Sequence, residues 1–515
     1  MPNPRSLDAE GVCFPVGGDE RRSTSATGRA IFADSVRAVD PAIAARIEHT
    51  RDWRKGYIAP LRDIVLAAAQ STENALSISR HGLASAEQRF TFRRGAEELP
   101  LHRAMADSTS RGFASVTVRG RASPEGELSV PYKGGRLFGD ELRRQVDSWV
   151  DRGIAEPSFG EAMHLVLDNP DWMDLSDVDI ALLGAGAEMA PTRSLLRWGA
   201  RVHAIDLPRV AIWEHLTAIT RSTAGTLRIP IRLDDDGNPP FVVDGDVHPE
   251  DDPTICGAAG ADLIREAPEI RTWLNETAQP FVLGTYAYAD GANHVRLSMA
   301  SDAITTDLLR HRDDITLAYL ATPTDVFVVP LDCVEESRRR WHNRGLGGLF
   351  QAPLRIARQF EPNYPQVYST TDGGSVGLND SIIPQQGPNY ILAKRVQRWR
   401  ALVARSEGVP VSLNLAPATR TRSVVRNRAL AAAYAGADRF GVEVFDPSTS
   451  TTLMAAMLVH DLRNPHSSAH PETPLSNPMD LFVSGANHGG LWRAAYAPRS
   501  VLGIAALLGM FESRA

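Results

Sequence analysis

The sequence predicts an α/β protein built on a doubly wound parallel sheet, with a helical N-terminal region and a C-terminal cap that is partly irregular and partly helical. Short apolar segments alternate with helical patterns from about residue 176 onward, which is typical of parallel βαβ units. A glycine-containing turn closes the first of these segments. The chain has 515 residues, of which 43% are hydrophobic and 23% charged, and this composition indicates a large globular core.

The N-terminal region comprises residues 1–150 and is predicted to be helical. Apolar side chains recur at helical spacing over residues 42–69, with an interruption at Pro60. Residues 138–150 are again amphipathic and lead into the sheet. Since no catalytic motif occurs in this region, we expect it to cap the protein, to mediate dimerisation or to shape a substrate tunnel.

Two further regions follow. Residues 151–445 are assigned to a nucleotide-binding catalytic domain with insertions. Residues 446–515 contain frequent prolines and are predicted to form a cap that ends in a buried helix near residues 501–511. That apolar run is far shorter than the ~20 residues that a membrane span needs, so no membrane span is expected.

The predicted strands are short and apolar. A helix is predicted to begin at Thr192, and the turn-rich stretch 225–258 is interpreted as an inserted loop or small β excursion. The strands are predicted at residues 180–183, 202–205, 281–284, 315–320, 326–329, 366–368 and 411–415.

A turn with two glycines follows the first predicted strand and indicates a Rossmann-like fold. Gly184 and Gly186 permit a tight turn and close approach of the backbone to a pyrophosphate. Asp206 ends the next strand about 20 residues further on, where a carboxylate accepts hydrogen bonds from a ribose 2′-hydroxyl. A carboxylate repels a 2′-phosphate, which favours NAD as the cofactor, while the nearby Arg209 keeps NADP open.

Two alternatives use the same turn. S-adenosylmethionine binds a similar glycine turn and ribose acid, and the Asn-Pro-Pro-Phe stretch at residues 238–241 resembles one methyltransferase active-site motif. A methyltransferase is therefore the second hypothesis. The third is a non-catalytic Rossmann scaffold whose additional regions bind a protein partner, because a fold of this kind does not fix a function.

Tyr390 and Lys394 are four residues apart, so they share one face if the segment is helical. A tyrosine has a pKa of about 10, and a neighbouring ammonium group would lower that pKa. The pair is therefore a candidate for proton exchange with a carbonyl or alcohol oxygen, with Lys394 also bonding the cofactor ribose. A half-exposed helix pair with no chemical role gives the same spacing.

Together these segments resemble the short-chain dehydrogenase/reductase superfamily. In that family a glycine-rich turn opens the fold, an acid follows the second strand, and a serine-containing strand precedes a Tyr-x-x-x-Lys motif. The resemblance covers roughly residues 176–445 and implies that Tyr390 is the acid/base, with Lys394 as its lysine and Asp206 as the ribose acid. The third glycine of the turn and the family's Asn-Asn-Ala-Gly run are missing here.

The resemblance implies roles for four further residues. Asp262 matches an aspartate that contacts adenine, and Asn343 matches an active-site asparagine that supports a proton relay. Gly377 stands where the family usually has its serine, so an insertion is required to bring Ser369 or Thr370 into that position. Thr370 is the preferred choice.

A second polar and aromatic group lies after the third predicted strand. It is a candidate lining for a substrate pocket, although an ordinary strand and loop is the favoured interpretation. Its members are Tyr286, Tyr288, Asp290, His294 and Arg296.

Composition excludes several other classes. The net charge of −7 gives no basic excess for nucleic acid or an anionic membrane. Cys13, Cys256 and Cys333 show neither disulfide nor metal-ligand spacing, which favours a reducing, cytoplasmic setting and no metal. We therefore expect a homo-oligomeric NAD(P)-dependent oxidoreductase that interconverts a carbonyl and an alcohol on a bulky small-molecule substrate.

Overall fold

The computed structural model describes residues 10–18, 20–107, 111–234, 236–241, 247–344, 358–371 and 373–512. It confirms the predicted α/β class, with a seven-stranded and mostly parallel central sheet between helical layers.

The strands are short and most are buried. They are β1 (Gly11–Cys13), β2 (Thr91–Arg94), β3 (Glu97–Pro100), β4 (Phe113–Arg119), β5 (Val130–Tyr132), β6 (Gly135–Leu137), β7 (Asp179–Leu183), β8 (Arg201–Ile205), β9 (Thr226–Arg232), β10 (Phe281–Thr285), β11 (Ile315–Ala321), β12 (Val326–Val329), β13 (Tyr368–Ser369), β14 (Ser375–Asp380) and β15 (Val411–Leu415).

The helices surround these strands. The described α-helices are α1 (Thr24–Arg37), α2 (Pro41–Glu48), α3 (Trp53–Gly56), α4 (Ile58–Ala69), α5 (Thr72–Arg89), α6 (Leu101–Asp107), α7 (Gly139–Asp151), α8 (Pro157–Asp168), α9 (Thr192–Arg197), α10 (Val210–Arg221), α11 (Asp252–Ala258), α12 (Ala267–Asn275), α13 (Ala292–His311), α14 (Leu331–His342), α15 (Gly387–Ser406), α16 (Arg422–Arg426), α17 (Arg428–Ala435), α18 (Pro447–Arg463) and α19 (Pro498–Glu512). Short 3-10 helices lie at Pro170–Met173, Pro249–Asp251, Pro384–Gln386, Asp438–Phe440 and Pro478–Phe482.

The central sheet has the order β15-β11-β10-β7-β8-β9-β4. Every pair from β15 to β9 is parallel, and β4 pairs antiparallel with β9 at one edge. Counted along the chain, the six parallel strands follow the order 3-2-1-4-5-6, which is the order of dinucleotide-binding folds. The topological switch point lies between β7 and β10, and ligands bind such sheets in the crevice beyond it.

Helices cover both faces of the sheet. Leu183 and Leu283 belong to one buried cluster with α13 and α15, whereas Leu182 and Val282 belong to a second cluster with α10 and α18. Successive side chains of a strand point to opposite faces, so burial on both sides requires nearly continuous apolar strands. This explains why apolar runs located the strands in the sequence.

The first 150 residues are not purely helical, contrary to the prediction. They contribute β4 to the central sheet and form a small sheet from β1, β2 and β3. Helices α1 and α5 pack on α15, so this region adds a further layer over one face of the sheet. Pro60 lies in the first turn of α4, where its missing N–H costs no helical hydrogen bond.

The stretch 225–258 also differs from the prediction, because it begins with β9, the third strand of the parallel sheet. Leu227, Ile229 and Ile231 alternate into the core, which is the pattern of a strand. The residues typical of turns begin only after this strand. The sequence prediction therefore placed the start of the loop too early and included the strand in it.

The C-terminal region does not form a separate cap. Helix α18 packs on β15 and covers one face of the sheet, while α17 and α19 pack against each other. Leu507 and Met510 on α19 are exposed, although this helix was predicted to be buried. Among the described residues, no helix combines the length and the apolar character required to cross a bilayer.

Candidate functional site

The glycine turn lies at the switch point. Gly184 has a φ of +93°, and a Cβ atom there would lie 2.5 Å from the Cα of Ala287. The backbone N–H groups of Tyr286 and Ala287 both donate to the carbonyl of Leu183, at 2.9 and 2.8 Å. Only glycine allows this close approach, so the turn after β7 and the segment after β10 are fixed against each other.

The amides of this turn are bonded within the protein. Gly184 and Ala185 donate to the carbonyl of Ile205, at 2.8 and 3.1 Å, and Ala187 donates to Gly184 at 3.0 Å. Gly186 donates to the Asp206 carboxylate at 2.7 Å. Helix α9 begins only at Thr192 and has six residues. These four amides therefore all have partners within the protein.

Asp206 lies at the end of β8 and is oriented by the backbone. Its second carboxylate oxygen accepts from the Leu207 N–H at 2.8 Å. Burial raises the pKa of this carboxyl, against the effect of the two N–H donors and of Arg209. Each oxygen keeps a lone pair for another donor, so the position fits the predicted contact with ribose hydroxyl groups.

Asp262 lies close to this strand end, because the N–H of Ala261 donates to the Asp206 carbonyl at 2.8 Å. Its own carboxylate accepts from the N–H groups of Ile264 and Arg265, at 2.9 and 3.2 Å. The structure brings Asp262 near the predicted adenosine position, where its carboxylate caps the turn that follows.

Tyr390 and Lys394 lie one turn apart on α15, as predicted. The Lys394 ammonium donates to the Leu320 carbonyl and the Gln397 side chain, both at 3.2 Å, and burial lowers its pKa to about 8. Burial raises the pKa of Tyr390 to about 12, against the opposing effect of the nearby Thr322 hydroxyl. The expected lowering of the tyrosine pKa is therefore wrong, since desolvation dominates.

Thr322 takes the position in which the sequence placed Ser369 or Thr370. It follows β11, which is the last strand of the central sheet before α15 along the chain. Its hydroxyl lies 2.9 Å from that of Thr324. Sequence reasoning missed it because residues 323–386 separate it from the start of α15. The available signal was a hydroxyl directly after the fifth strand.

Ser369 and Thr370 lie elsewhere, which corrects the prediction. In the sheet of β12, β14 and β13, Ser369 pairs with Ser375, whereas Asp380 at the other end of β14 pairs with Val326. Five residues of strand separate these ends, which corresponds to about 17 Å at ~3.3 Å per residue. The Ser369 carbonyl instead accepts from the side chain of Gln70 in the N-terminal region, at 3.3 Å.

Asn343 is also remote from the site. It is exposed and follows the last turn of α14, where its N–H donates to the Arg339 carbonyl at 3.0 Å. Helix α14 begins next to β12. Its length, about 18 Å at 1.5 Å per residue, separates Asn343 from that strand. A proton relay through Asn343 to Tyr390 is therefore not formed.

The aromatic group after β10 does gather at the site. The His294 ring stacks on the Tyr390 ring with centroids 5.4 Å apart and lies 4.9 Å from the Tyr288 ring. The Tyr288 hydroxyl donates to Asp290 at 2.9 Å. Arg296 instead points toward the N-terminal region and donates to the Val12 carbonyl at 2.5 Å.

His294 is 1% exposed, and neither ring nitrogen has a hydrogen-bond partner among the described residues. Burial lowers the pKa of this imidazole to about 3, with a further contribution from the Lys394 charge. The ring is therefore neutral at ordinary pH. The buried hydroxyl of Thr285, at the end of β10, likewise has no partner in the described chain. Buried polar groups without partners are costly, so these atoms mark where a ligand can bond.

Comparison with known proteins gives no match to a protein-family model, to a curated protein or to a solved structure.

Proposed function

We propose that the protein is an NAD(P)-dependent oxidoreductase that interconverts a carbonyl and an alcohol on a small molecule. The observation that carries this proposal is the meeting of Tyr390, Thr322 and His294 next to the switch point. A phenol, a second hydroxyl and a neutral imidazole at this edge of a sheet suit a substrate oxygen that gains or loses a proton.

The topology gives independent support. Helix α15 joins the fifth and sixth parallel strands and carries Tyr390 and Lys394, while Thr322 directly follows the fifth strand. The resemblance to the short-chain dehydrogenases places a hydroxyl-bearing strand before the tyrosine motif. Thr322 meets this requirement directly, whereas Ser369 or Thr370 required an insertion to reach that position.

The residues divide the chemistry between them. Tyr390 keeps its proton at neutral pH, because its pKa is about 12, and it donates that proton to a carbonyl oxygen in the reductive direction. Thr322 supplies a second hydroxyl to the same oxygen. Lys394 donates to the Leu320 carbonyl one helical turn from Tyr390, and its ammonium group is the candidate for bonding the cofactor ribose. The nicotinamide cofactor, when bound, supplies or accepts the hydride.

The cofactor fits this chain in part. Asp206 offers carboxylate oxygens to a ribose, which favours NAD over NADP, and Thr285 and His294 offer buried polar atoms at the reacting end. The bonded amides of the turn leave the pyrophosphate to other groups. Arg209 lies within electrostatic reach of Asp206 and is a candidate for that contact.

The test is reduction of a panel of aldehydes and ketones by NADH and NADPH. We expect Tyr390→Phe to lower kcat by about 10²–10⁴-fold without changing the Kd for the nucleotide, and Asp206→Asn to weaken nucleotide binding. Tyr368→Phe is the matched control, because that tyrosine lies beside Ser369 in the remote small sheet. Full activity of Tyr390→Phe would refute the assignment of the acid/base.

A methyltransferase is the second candidate, because the bonded turn amides suit a cofactor without a pyrophosphate. The stretch 238–241 weakens this candidate, since it is an irregular segment after the third strand in which Asn238, Pro239 and Pro240 are exposed. Thermal unfolding with NADH and with S-adenosylmethionine separates the two. A ligand at ~100 times its Kd stabilises the fold by about 2.7 kcal/mol, and a shift with S-adenosylmethionine alone would favour methyl transfer. A shift with neither would favour the non-catalytic scaffold.

A further inference from the structure

A cavity with charged walls lies at one edge of the central sheet, beyond the carboxyl end of β9. It has a volume of about 600 Å³ and is partly open to solvent. Its walls include the region where β9 ends and β4 begins, the segment around Asp262 and the start of α12. This volume falls within the range of about 300–1,000 Å³ that is typical of small-molecule sites.

The cavity is separate from the groups around Tyr390. In the sheet, β7 and β8 lie between β10 and β9, so the ends of β10 and β9 are three strand spacings apart. At ~4.8 Å per spacing this corresponds to about 14 Å. Pro208 and Asp262 line the cavity, whereas Tyr390 and the side chains gathered around it do not. The proposed reaction therefore does not explain the charged walls.

The arginines of the wall are already paired with acids. Four arginines and five carboxylates line the cavity. The pairs are Arg94–Glu269 at 2.8 Å, Arg111–Glu276 at 3.0 Å, Arg232–Glu266 at 2.8 Å and Arg265–Asp262 at 3.9 Å. Because an acid neutralises each guanidinium group, the arginines do not make this cavity an anion site.

The atoms that lack partners in this wall are acceptors. Glu269 is 7% exposed, and its Oε2 atom is buried without a hydrogen-bond partner among the described residues. One Asp262 carboxylate oxygen accepts from two backbone N–H groups, whereas the other lies 3.9 Å from the Arg265 guanidinium, beyond hydrogen-bond distance. A buried carboxylate oxygen without a donor is costly. The wall therefore requires donors from a ligand.

The position of Glu269 is fixed by its surroundings. A Cβ atom at Gly112 would lie 2.7 Å from the Cγ of Glu269, so the glycine before β4 leaves the space that this side chain occupies. Within the described part of the wall, no three acids bring their ligand atoms within 4.8 Å of one another. The arrangement therefore suits an organic donor better than a metal ion.

We propose that this cavity binds a small organic ligand through a positively charged amino group, which donates to the free oxygens of Glu269 and Asp262. An ammonium group has donors and no acceptor, and its hydrogen bonds to carboxylates are roughly twice as strong as those between neutral groups. The acids that line the cavity outnumber the arginines by five to four, which adds a net negative charge. This proposal is independent of the reaction assigned to Tyr390.

The experiment is isothermal titration calorimetry of the full chain, without nucleotide and at low ionic strength, because salt screens charge pairs. The probes are putrescine, its neutral isostere butane-1,4-diol and adenosine monophosphate. We expect putrescine to bind and the diol not to bind. Glu269→Gln should raise the Kd for putrescine by roughly 10–100-fold. Glu97→Gln is the matched control, because this glutamate is exposed on β3 outside the cavity, and it should leave the Kd unchanged.

A second variant covers the case in which Glu269→Gln fails to fold. Asp262→Asn should also weaken putrescine binding, by a smaller factor because Asp262 is more exposed than Glu269. No binding of putrescine, equal binding of the diol, or a Kd that neither variant changes would overturn the proposal. Binding of adenosine monophosphate alone, lost in Glu269→Gln, would also overturn it and would assign the cavity to the adenosine half of the nucleotide.

Discussion

The two halves of the crevice at the switch point differ in how completely their polar groups are paired. On the side of β7 and β8, the amides of the glycine turn and the carboxylate of Asp206 bond each other and the neighbouring strand. On the side of β10 and β11, the buried His294 imidazole and the Thr285 hydroxyl have no partner in the described chain. The polar groups of the first half are paired within the protein, whereas these two groups of the second half are not.

This difference bears on stability and on function in opposite ways, because an unpaired buried polar group lowers stability but can bond a ligand. A buried polar group without a partner costs about 1–3 kcal/mol, and a sequence selected for stability alone would replace it with an apolar side chain. His294 is kept inside a ring cluster with Tyr288 and Tyr390 at this cost. Within this crevice, the unpaired groups therefore make the side of β10 and β11 the better candidate for a ligand contact.

The largest expected effect comes from Asp325, which is 1% exposed and pairs with Arg395 at 2.5 Å and Arg398 at 2.8 Å. Asp325→Ala leaves two buried guanidinium groups without a counter-charge and should lower the free energy of unfolding by about 3–5 kcal/mol. Asp206→Ala removes only two backbone hydrogen bonds and should cost about 1–3 kcal/mol. Urea unfolding of both variants measures the difference, and equal losses would contradict it.

Gly184→Ala should be the next most costly change. It combines a positive φ with a clash against Ala287 and should destabilise the protein by about 2–3 kcal/mol. Gly291→Ala is the control, because that residue has a φ of +61° but open space around its Cβ position. The control should lose only about 1 kcal/mol of backbone strain. If both variants lose the same free energy of unfolding, the contact between the turn and the segment after β10 does not contribute to stability.

His294→Leu should stabilise the ligand-free protein by about 1–3 kcal/mol, because an apolar side chain replaces two unpaired nitrogens. The same variant should lose turnover if the imidazole bonds the ligand. Chemical denaturation and an activity assay on one preparation test both statements. A destabilised His294→Leu would show that the ring is needed for packing, and the contrast between the two halves would then fail.

A further effect concerns pH. The pKa of Lys394 is about 8 in the folded chain, below the value of about 10.4 for a free lysine. The unfolded chain therefore binds more protons between these two values, and stability should rise with pH across that interval by at most about 1.4 kcal/mol per pH unit. Below pH 8 both states are protonated and the slope vanishes. Lys394→Met should abolish the rise, and an unchanged slope would contradict the assignment.

The sequence predicted those parts of the site that depend on local spacing. Gly184 and Gly186 follow one strand and Asp206 follows the next. Tyr390 and Lys394 share one helix face. The members of each group are close in space because they are close in the sequence pattern. Burial, which raised the pKa of Tyr390 instead of lowering it, depends on everything packed around α15 and was not predictable from that spacing.

The wrong predictions concern residues whose positions depend on contacts between distant parts of the sequence. Ser369, Thr370 and Asn343 belong to an insertion between β11 and α15, and its own small sheet and helix carry them away from the crevice. Their distance from Tyr390 in the sequence gave no measure of their distance in space. Thr322 was overlooked for the same reason, although the strand before it was predicted correctly.

The antiparallel strand β4 has a consequence for the synthesis of the chain. Its partner β9 lies more than a hundred residues further along, so β4 leaves the ribosome long before the strand that it pairs with exists. Chains emerge at about 5–20 residues per second, which leaves β4 without its ladder for several seconds or more. Conversely, a chain lacking its first 120 residues would present β9 as an open edge, and open edges recruit strands from other molecules. The N-terminal region thus covers an edge of the central sheet that would otherwise be open.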